Sequence, residues 1–137
     1  MRVDHIAIAV NNVDEALKNY QKILNINEIH TEVVTNEKVK VAMLGLEDTR
    51  LELMEPIADD SPIKKFLLEH GEGIHHVAIR ADNIEKDVAR ASSSGMKMLG
   101  QLRLGSYGRR VTFIHPKSLN GVLIEFCEAS DSAPSIL

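Results

Sequence analysis

Apolar and polar residues alternate in two segments of this chain, and the two segments resemble each other. Residues 4–10 read DHIAIAV, and residues 75–81 read HHVAIRA, 71 positions further along the chain. Alternation with a period of two is typical of a strand that buries one face. Each segment runs on to an asparagine, Asn12 or Asn83, that is followed within three residues by an acidic residue. Both features favour the start of a helix at that point.

A helical spacing of apolar residues follows each asparagine, and three further strand patterns follow each helix. We predict helices near residues 13–24 and 84–94. The strands are predicted near residues 28–34, 39–44 and 50–55 in the first half, and near 96–104, 110–115 and 122–127 in the second. The chain therefore reads as the order βαβββ repeated twice.

The two repeats are expected to form one domain, residues 1–130, with module one at 1–56 and module two at 73–128. The connector, residues 57–72, has the sequence signals of a short helix: Ser61 as the cap, Pro62 at the first helical position and Gly71 at the end. Residues 130–137 are small, polar and contain proline, so we expect a frayed tail.

One histidine and one glutamate occupy matched positions in each half. His5 and His76 alternate with apolar residues, so each points away from the apolar face of its strand, beside small alanines. Glu52 and Glu125 each lie between two large apolar residues in the last strand pattern of their half. The spacing from histidine to glutamate is 47 residues in the first half and 49 in the second. Two nearly equal half-sites predict one divalent metal ion where the halves meet.

The alternative for any one of these residues is a solvated side chain, and it is the repetition of type and spacing that outweighs it. Imidazole and carboxylate ligands suit zinc, cobalt(II), nickel or manganese better than calcium. His75 has the opposite strand phase to His76, so we expect it to be structural or to support the site indirectly. The remaining histidines, His30, His70 and His115, are expected in connectors or at strand ends as ordinary surface or turn residues.

Composition narrows the class of protein. The 137 residues are 44% apolar, which is enough for one core and too few for two large domains. A net charge of −4 without charge blocks, and 4% aromatic residues, give no sign of a nucleic-acid or membrane partner. Cys127 is the single cysteine, which excludes an internal disulfide. With no signal-peptide core after Met1 and no apolar run of about 20 residues, we expect a cytoplasmic protein.

These motifs resemble the vicinal oxygen chelate (glyoxalase) superfamily and, more narrowly, the methylmalonyl-CoA epimerase family over nearly the whole chain. The segments that carry the resemblance are DHIAIAV, LELMEPIADDSPIKKFL at residues 51–67, GIHHVAIRADNI at 73–84 and HPKSLNGVLIEF at 115–126. The resemblance implies an α+β fold in which two βαβββ modules form an open eight-stranded barrel-like sheet around a metal site. It also implies a homodimer.

The activity implied by the resemblance is the interconversion of (R)- and (S)-methylmalonyl-CoA through an enolate at C2. One divalent ion per chain, with cobalt(II) favoured and zinc, manganese or nickel as alternatives, would polarise the substrate. Glu125 would be both a metal ligand and an acid/base. Other members carry a second carboxylate on the third strand of the first module, where this chain reads VKVAM at residues 39–43. The second proton carrier therefore stays open: Lys40, a water molecule or another residue.

The CoA phosphates would need contacts of their own. Arg109 and Arg110 follow a turn that contains two glycines, and Lys117 lies in a second turn at residues 115–121. Backbone N–H groups of a glycine-rich turn can bind phosphate, and arginine pairs well with it. An ordinary β-turn with solvated bases is an equal alternative. Two other functions share the scaffold: a glyoxalase I-type lyase that acts on a glutathione hemithioacetal, and a metal-free protein that sequesters a drug-like ligand.

Overall fold

The computed structural model describes residues 1–129, and each half of this stretch has the order strand, helix and three strands. The first half contains β1 (Arg2–Ala9), α1 (Val13–Gln21), β2 (Glu28–Val34), β3 (Val39–Gly45) and β4 (Arg50–Pro56). Helix α2 (Pro62–His70) connects the halves. The second contains β5 (Gly73–Ala81), α3 (Ile84–Ser93), β6 (Met98–Leu104), β7 (Arg110–Ile114) and β8 (Ile124–Glu128).

The described residues divide into two compact units. The first unit comprises residues 5–75, and the second comprises residues 1–4 together with 76–129. Each predicted module lies mainly in one unit, although the first residues of β1 belong to the second unit. The predicted single domain at 1–130 stays a prediction, and the predicted frayed tail, residues 130–137, lies outside the described residues.

In the first unit, β4 lies between β1 and β3, and β2 pairs with the outer side of β3. Residues 5–9 of β1 run parallel to β4, whereas the β3–β4 and β2–β3 pairs are antiparallel. Helix α1 packs on one side of these strands, where its Val13 and Ala16 form a buried cluster with Val10, Ala42, Leu44 and Leu53. Helix α2 packs on part of the other side, where Ile63, Phe66 and Leu67 contact a cluster of Ala7, Ala9, Val34, Val39, Val41 and Met54.

The second unit repeats this plan. Strand β5 runs parallel to β8, which pairs antiparallel with β7, and β7 pairs antiparallel with β6 across an irregularity between Leu99 and Arg103. Helix α3 covers one side of these strands, where its Ile84 forms a buried cluster with Ala81, Ile114 and Phe126. The other side carries Ala78, Val111 and Cys127.

The helices begin where the sequence predicts. The side-chain oxygens of Asn12 and Asn83 accept hydrogen bonds from the backbone N–H groups of Glu15, at 2.9 Å, and of Lys86, at 3.1 Å. Ser61 caps α2, with Pro62 in its first turn and a positive φ at Gly71, the residue after its end. The α+β class, the two βαβββ modules and the connecting helix are confirmed. Helix α1 ends three residues before the predicted boundary.

Candidate metal and acid–base site

The first His/Glu pair lies in the first unit, on the side of the strands opposite helix α1. His5 Nε2 is 3.5 Å from Glu52 Oε1, and the two side chains are only 2% and 6% exposed. Strand pairing explains the approach, because Ala7 is the direct partner of Glu52 and His5 precedes Ala7 by two residues on the same face. The methyl side chain of Ala7 leaves room above the strand for the two longer side chains.

The second pair lies in the second unit and has the same construction. His76 Nε2 is 2.7 Å from Glu125 Oε2, and both side chains are buried. Ala78 is the direct partner of Glu125, and His76 precedes Ala78 by two residues. The imidazole packs edge-on against the ring of Phe113, at 5.2 Å between ring centroids. The predicted strand phases of all four residues are confirmed within their units.

The separation of the ligand atoms within each pair suits a divalent metal ion. Two ligand atoms that bind one ion at about 2.1 Å and at right angles lie about 3 Å apart. The measured separations of 3.5 Å and 2.7 Å lie on either side of this value. Buried carboxylates are costly unless a charge or hydrogen bonds compensate them, and a divalent ion would supply that charge. Each pair therefore fits the role of a bidentate half-site.

A buried ion cluster lies in the second unit around Asp4, the neighbour of His5 in sequence. Arg109 donates from Nη1 and Nη2 to the two carboxylate oxygens of Asp4, at 2.9 and 2.8 Å. Arg80 donates to Oδ1 from Nε and Nη2, at 3.0 and 2.8 Å. Burial alone would lower the pKa of Arg109, but the hydrogen bonds and charge of Asp4, with the charge of Glu125, hold it above its usual value. Arg109 is therefore a permanent cation inside the protein.

Of the three residues predicted to contact CoA phosphates, two are engaged with carboxylates. Arg109 is 2% exposed and faces Asp4. Arg110 donates to Glu128 from Nε and Nη2, at 2.9 and 2.6 Å, and lies 2.6 Å from Glu85. Lys117 is exposed in a short 3₁₀ turn. These contacts do not test the phosphate prediction, but they leave Lys117 as the member of the set that is turned to solvent.

Comparison with known proteins identifies the family to which this chain belongs. Residues 4–113 match the family model described as Glyoxalase/Bleomycin resistance protein/Dioxygenase superfamily. The chain belongs to this superfamily. The predicted superfamily is therefore confirmed.

Among the relatives, human mitochondrial methylmalonyl-CoA epimerase is 34% identical over 93% of this chain and 74% of that protein. A variant of the Streptomyces coelicolor methylmalonyl-CoA epimerase, in complex with 2-nitronate-propionyl-CoA, superposes with a TM-score of 0.92 at 34% identity, over 98% of this chain and 99% of that one. A methylmalonyl-CoA epimerase in complex with methylmalonyl-CoA and NH4+ gives a TM-score of 0.91 at 35% identity, over 98% of each chain. The narrower resemblance seen in the sequence is thus confirmed as well.

No helix in the described part of this superfamily member is long and apolar enough to cross a membrane.

The predictions for the remaining histidines are partly confirmed and partly wrong. His75 packs its ring edge-on against Phe66, at 5.0 Å, which fits the predicted structural role. His70 ends helix α2 and is exposed, and His115 opens the 3₁₀ turn, as expected of surface and turn residues.

The prediction for His30 is wrong, because His30 lies in the middle of strand β2 with its ring half-buried. Its Nε2 is 2.8 Å from Glu32 Oε2, and the two side chains are 32% and 25% exposed. The signal that reveals the pair is the alternation of Glu28, His30, Glu32 and Val34 on one face of a strand, with Val34 buried. This face is easily overlooked in the sequence because its first three members are polar.

Lys40 is also corrected as a candidate proton carrier. It pairs with Glu55 in the register of β3 and β4, and its Nζ lies 3.5 Å from Asp14 of helix α1. Lys40 is therefore on the helix side of the strands, whereas Glu52 is on the opposite side. The positions of β3 that share the face of Glu52 are Val39, Val41, Met43 and Gly45, and none of them has a side chain that can carry a proton.

Proposed function

We propose that this protein is a methylmalonyl-CoA epimerase, which interconverts the two configurations at C2 of its substrate. The observation that carries the proposal is the buried His/Glu pair built identically into each module, on a chain that matches epimerases over almost its full length. C2 of the substrate is bonded to both a thioester and a carboxylate carbon. Removal of its proton gives an enolate that must be stabilised as it forms.

His5, Glu52, His76 and Glu125 together are proposed to hold one divalent ion, with cobalt(II) favoured and zinc, manganese or nickel as alternatives. Supporting this proposal are the burial of all four side chains and the fit of each pair to adjacent positions of an octahedral ion. The bound ion would supply a positive charge near the oxygen on which the enolate charge develops.

Glu125 is proposed to take the C2 proton as a carboxylate and to return it as a carboxylic acid. The packing of His76 against Phe113 would hold the imidazole in place while Glu125 moves. Glu52 is proposed to serve as a ligand and not as a base. Lys117, Arg109 and Arg110 are proposed for the CoA phosphates, with Lys117 first because it is exposed. A homodimer and a cytoplasmic location stay predictions.

The decisive experiment follows deuterium from D2O into C2 of configurationally pure methylmalonyl-CoA, with metal-loaded protein. We expect label at C2 and appearance of the other configuration. Glu125→Gln should lower epimerisation by roughly two to four orders of magnitude, the usual contribution of a general base, whereas Glu52→Gln should have a milder effect. Turnover of the hemithioacetal of methylglyoxal and glutathione, without any reaction of the CoA thioester, would assign the protein to the lyases instead.

Metal binding provides an independent test. The purified protein should bind one divalent ion per chain, measured by elemental analysis after dialysis. His76→Ala should abolish tight binding, and His75→Ala, the matched control one residue away, should retain it. Equal loss of metal from both variants would contradict the proposed ligand set.

A further inference from the structure

The inner face of strand β2 carries three polar residues and Val34, whereas its outer face carries two aliphatic residues and Thr31. Glu28, His30 and Glu32 are partly covered, whereas Ile29 and Val33 on the opposite face are 42% and 57% exposed. Val34 on the inner face is 7% exposed and belongs to the core cluster under helix α2, so it fixes this phase, because a shift of one residue exchanges the two faces. Burial of Val34 explains the phase of β2, but it does not explain why the other three residues on the inner face are polar.

The inner face of β2 is the face that carries the first His/Glu pair. Directly paired residues on neighbouring strands point to the same side of a sheet. His30 pairs with Met43 of β3, Met43 pairs with Glu52 of β4, and Glu52 pairs with Ala7 of β1. His30 and Glu52 thus lie in one row, two strand spacings or about 10 Å apart at their backbones.

The neighbouring row contains a carboxylate, that of Glu32 in β2, whereas β3 has no acidic residue. Glu32 pairs with Val41, and Val41 is one of the β3 positions that face the same side as Glu52. Glu32 therefore lies on the same side of the strands as Glu52, and its carboxylate is 2.8 Å from the imidazole of His30.

We propose that Glu32 is the second acid/base of the epimerisation and that His30 is its positioning residue. This inference rests on the proposed function. In one direction, the Glu125 carboxylate accepts the C2 proton, and the electron pair of the C2–H bond moves into the enolate. Glu32, as a carboxylic acid, then gives a proton to the opposite face of C2, and the electron pair returns to form the new C2–H bond. Exchange of protons with water, aided by His30, restores both carboxyl groups.

The chemistry of the pair suits this role. A carboxyl group that must be protonated in one direction and ionised in the other needs rapid exchange of its proton with solvent. Imidazole transfers protons readily near neutral pH, and the His30 side chain is 32% exposed and so reaches water. The hydrogen bond between the two side chains also fixes the orientation of the Glu32 carboxylate.

The test compares epimerisation with isotope exchange, because a second base is needed only for inversion. Each configuration of methylmalonyl-CoA is incubated in D2O with Glu32→Gln. Epimerisation should fall by roughly two to four orders of magnitude. Exchange without inversion should persist for the configuration whose C2 hydrogen faces Glu125, and should be lost for the other. His30→Gln should lower the ratio of epimerisation to exchange in the same sense, but by less.

Two matched controls and two physical measurements accompany the test. Glu28→Gln removes the same charge from the same face of β2, and Thr31→Val alters the opposite face; both should leave the ratio of epimerisation to exchange unchanged. Metal content and the unfolding midpoint of Glu32→Gln should equal those of the wild type. Glu32→Asp, which keeps a carboxylate one methylene further back, should retain part of the inversion and serves if Glu32→Gln folds poorly.

The outcomes separate the two proposals. Failure of the wild type to exchange C2 of methylmalonyl-CoA overturns the proposed function and this inference with it. An active wild type with normal inversion in Glu32→Gln overturns the inference alone. The inference is also overturned if Glu28→Gln loses inversion equally, if Glu32→Gln loses its metal, or if His30→Gln is the more damaged variant.

Discussion

Asp4 offers the most direct test of the electrostatics of this fold. Its carboxylate is fully buried and accepts four hydrogen bonds, two from Arg80 and two from Arg109. Asp4→Asn keeps the size of the side chain but removes its charge. It leaves the guanidinium of Arg109, which is 2% exposed, without the carboxylate that neutralises it. We expect a large loss of stability, because water cannot replace a partner at that depth.

The size of the loss follows from the burial of the two groups. Removing one partner of a buried ion pair typically costs about 3–5 kcal/mol, most of it from the charge left behind. Domains of this size have a total stability of about 5–15 kcal/mol, so the variant should be marginally folded. At roughly 3–4 °C per kcal/mol, the unfolding midpoint should fall by about 10–20 °C.

Urea unfolding of Asp4→Asn, followed by circular dichroism, measures the effect. Asp82→Asn is the matched control, since Asp82 pairs with the N-terminal ammonium of Met1 but is 72% exposed, and such a pair is worth less than about 1 kcal/mol. The double variant Asp4→Leu with Arg109→Leu should be more stable than Asp4→Asn, because it leaves no buried Arg109 charge. A double variant no better than the single one would refute the electrostatic reasoning and assign the loss to packing.

Further predictions concern the thiol, the helix caps and the acid limb of stability. Burial raises the pKa of Cys127 well above its usual value, so the thiol should react with disulfide reagents only after unfolding. The free energy of unfolding should fall as pH rises above about 8.5, where the thiol of the unfolded chain ionises, and Cys127→Ala should remove this pH dependence. Asn12→Ala and Asn83→Ala should each cost about 0.5–2 kcal/mol in urea unfolding, and similar losses would reflect their equivalent caps. The hydrogen bonds of Arg110 lower the pKa of Glu128. The stabilisation from this pair is therefore present above the unfolded-state pKa, about 4.3, and is lost as pH falls through the lower folded-state pKa. Arg110→Met should make the free energy of unfolding less dependent on pH in this acidic range.

The repeated elements could be predicted from the sequence because each of them depends on local patterns. Alternation with a period of two fixes which residues share a face, and this placed His76 with Ala78 and away from the residues under helix α3. The caps at Asn12 and Asn83 depend on residues three positions apart. Where a feature is encoded within one strand or one helical turn, its repetition in the second half doubles the signal.

The ion cluster around Asp4 had no such signal. Asp4 and Arg109 are 105 residues apart, and each looks like an ordinary surface charge in its own segment. Arg109 follows a turn that contains glycine, and this pattern indicates a phosphate contact and a solvated turn residue equally. Only the tertiary fold shows that its side chain faces inward. Buried ion pairs between distant segments cannot be recognised by periodicity, because a periodic pattern relates only residues within one strand or helix.

Strand β2 is the instructive intermediate case, because its position was predicted and its inner face was not. Both faces alternate, and the apolar one, with Ile29 and Val33, is the natural choice for burial. The register with β3 decides otherwise: Val34 and Val39 pair as the strands enter the core under helix α2, and every residue of β2 follows from that pairing. In this register β2 buries Val34, exposes Ile29 and Val33, and covers a half-buried His30–Glu32 pair. A covered polar pair beside exposed aliphatic side chains is the kind of local conflict between pattern and fold that functional sites retain.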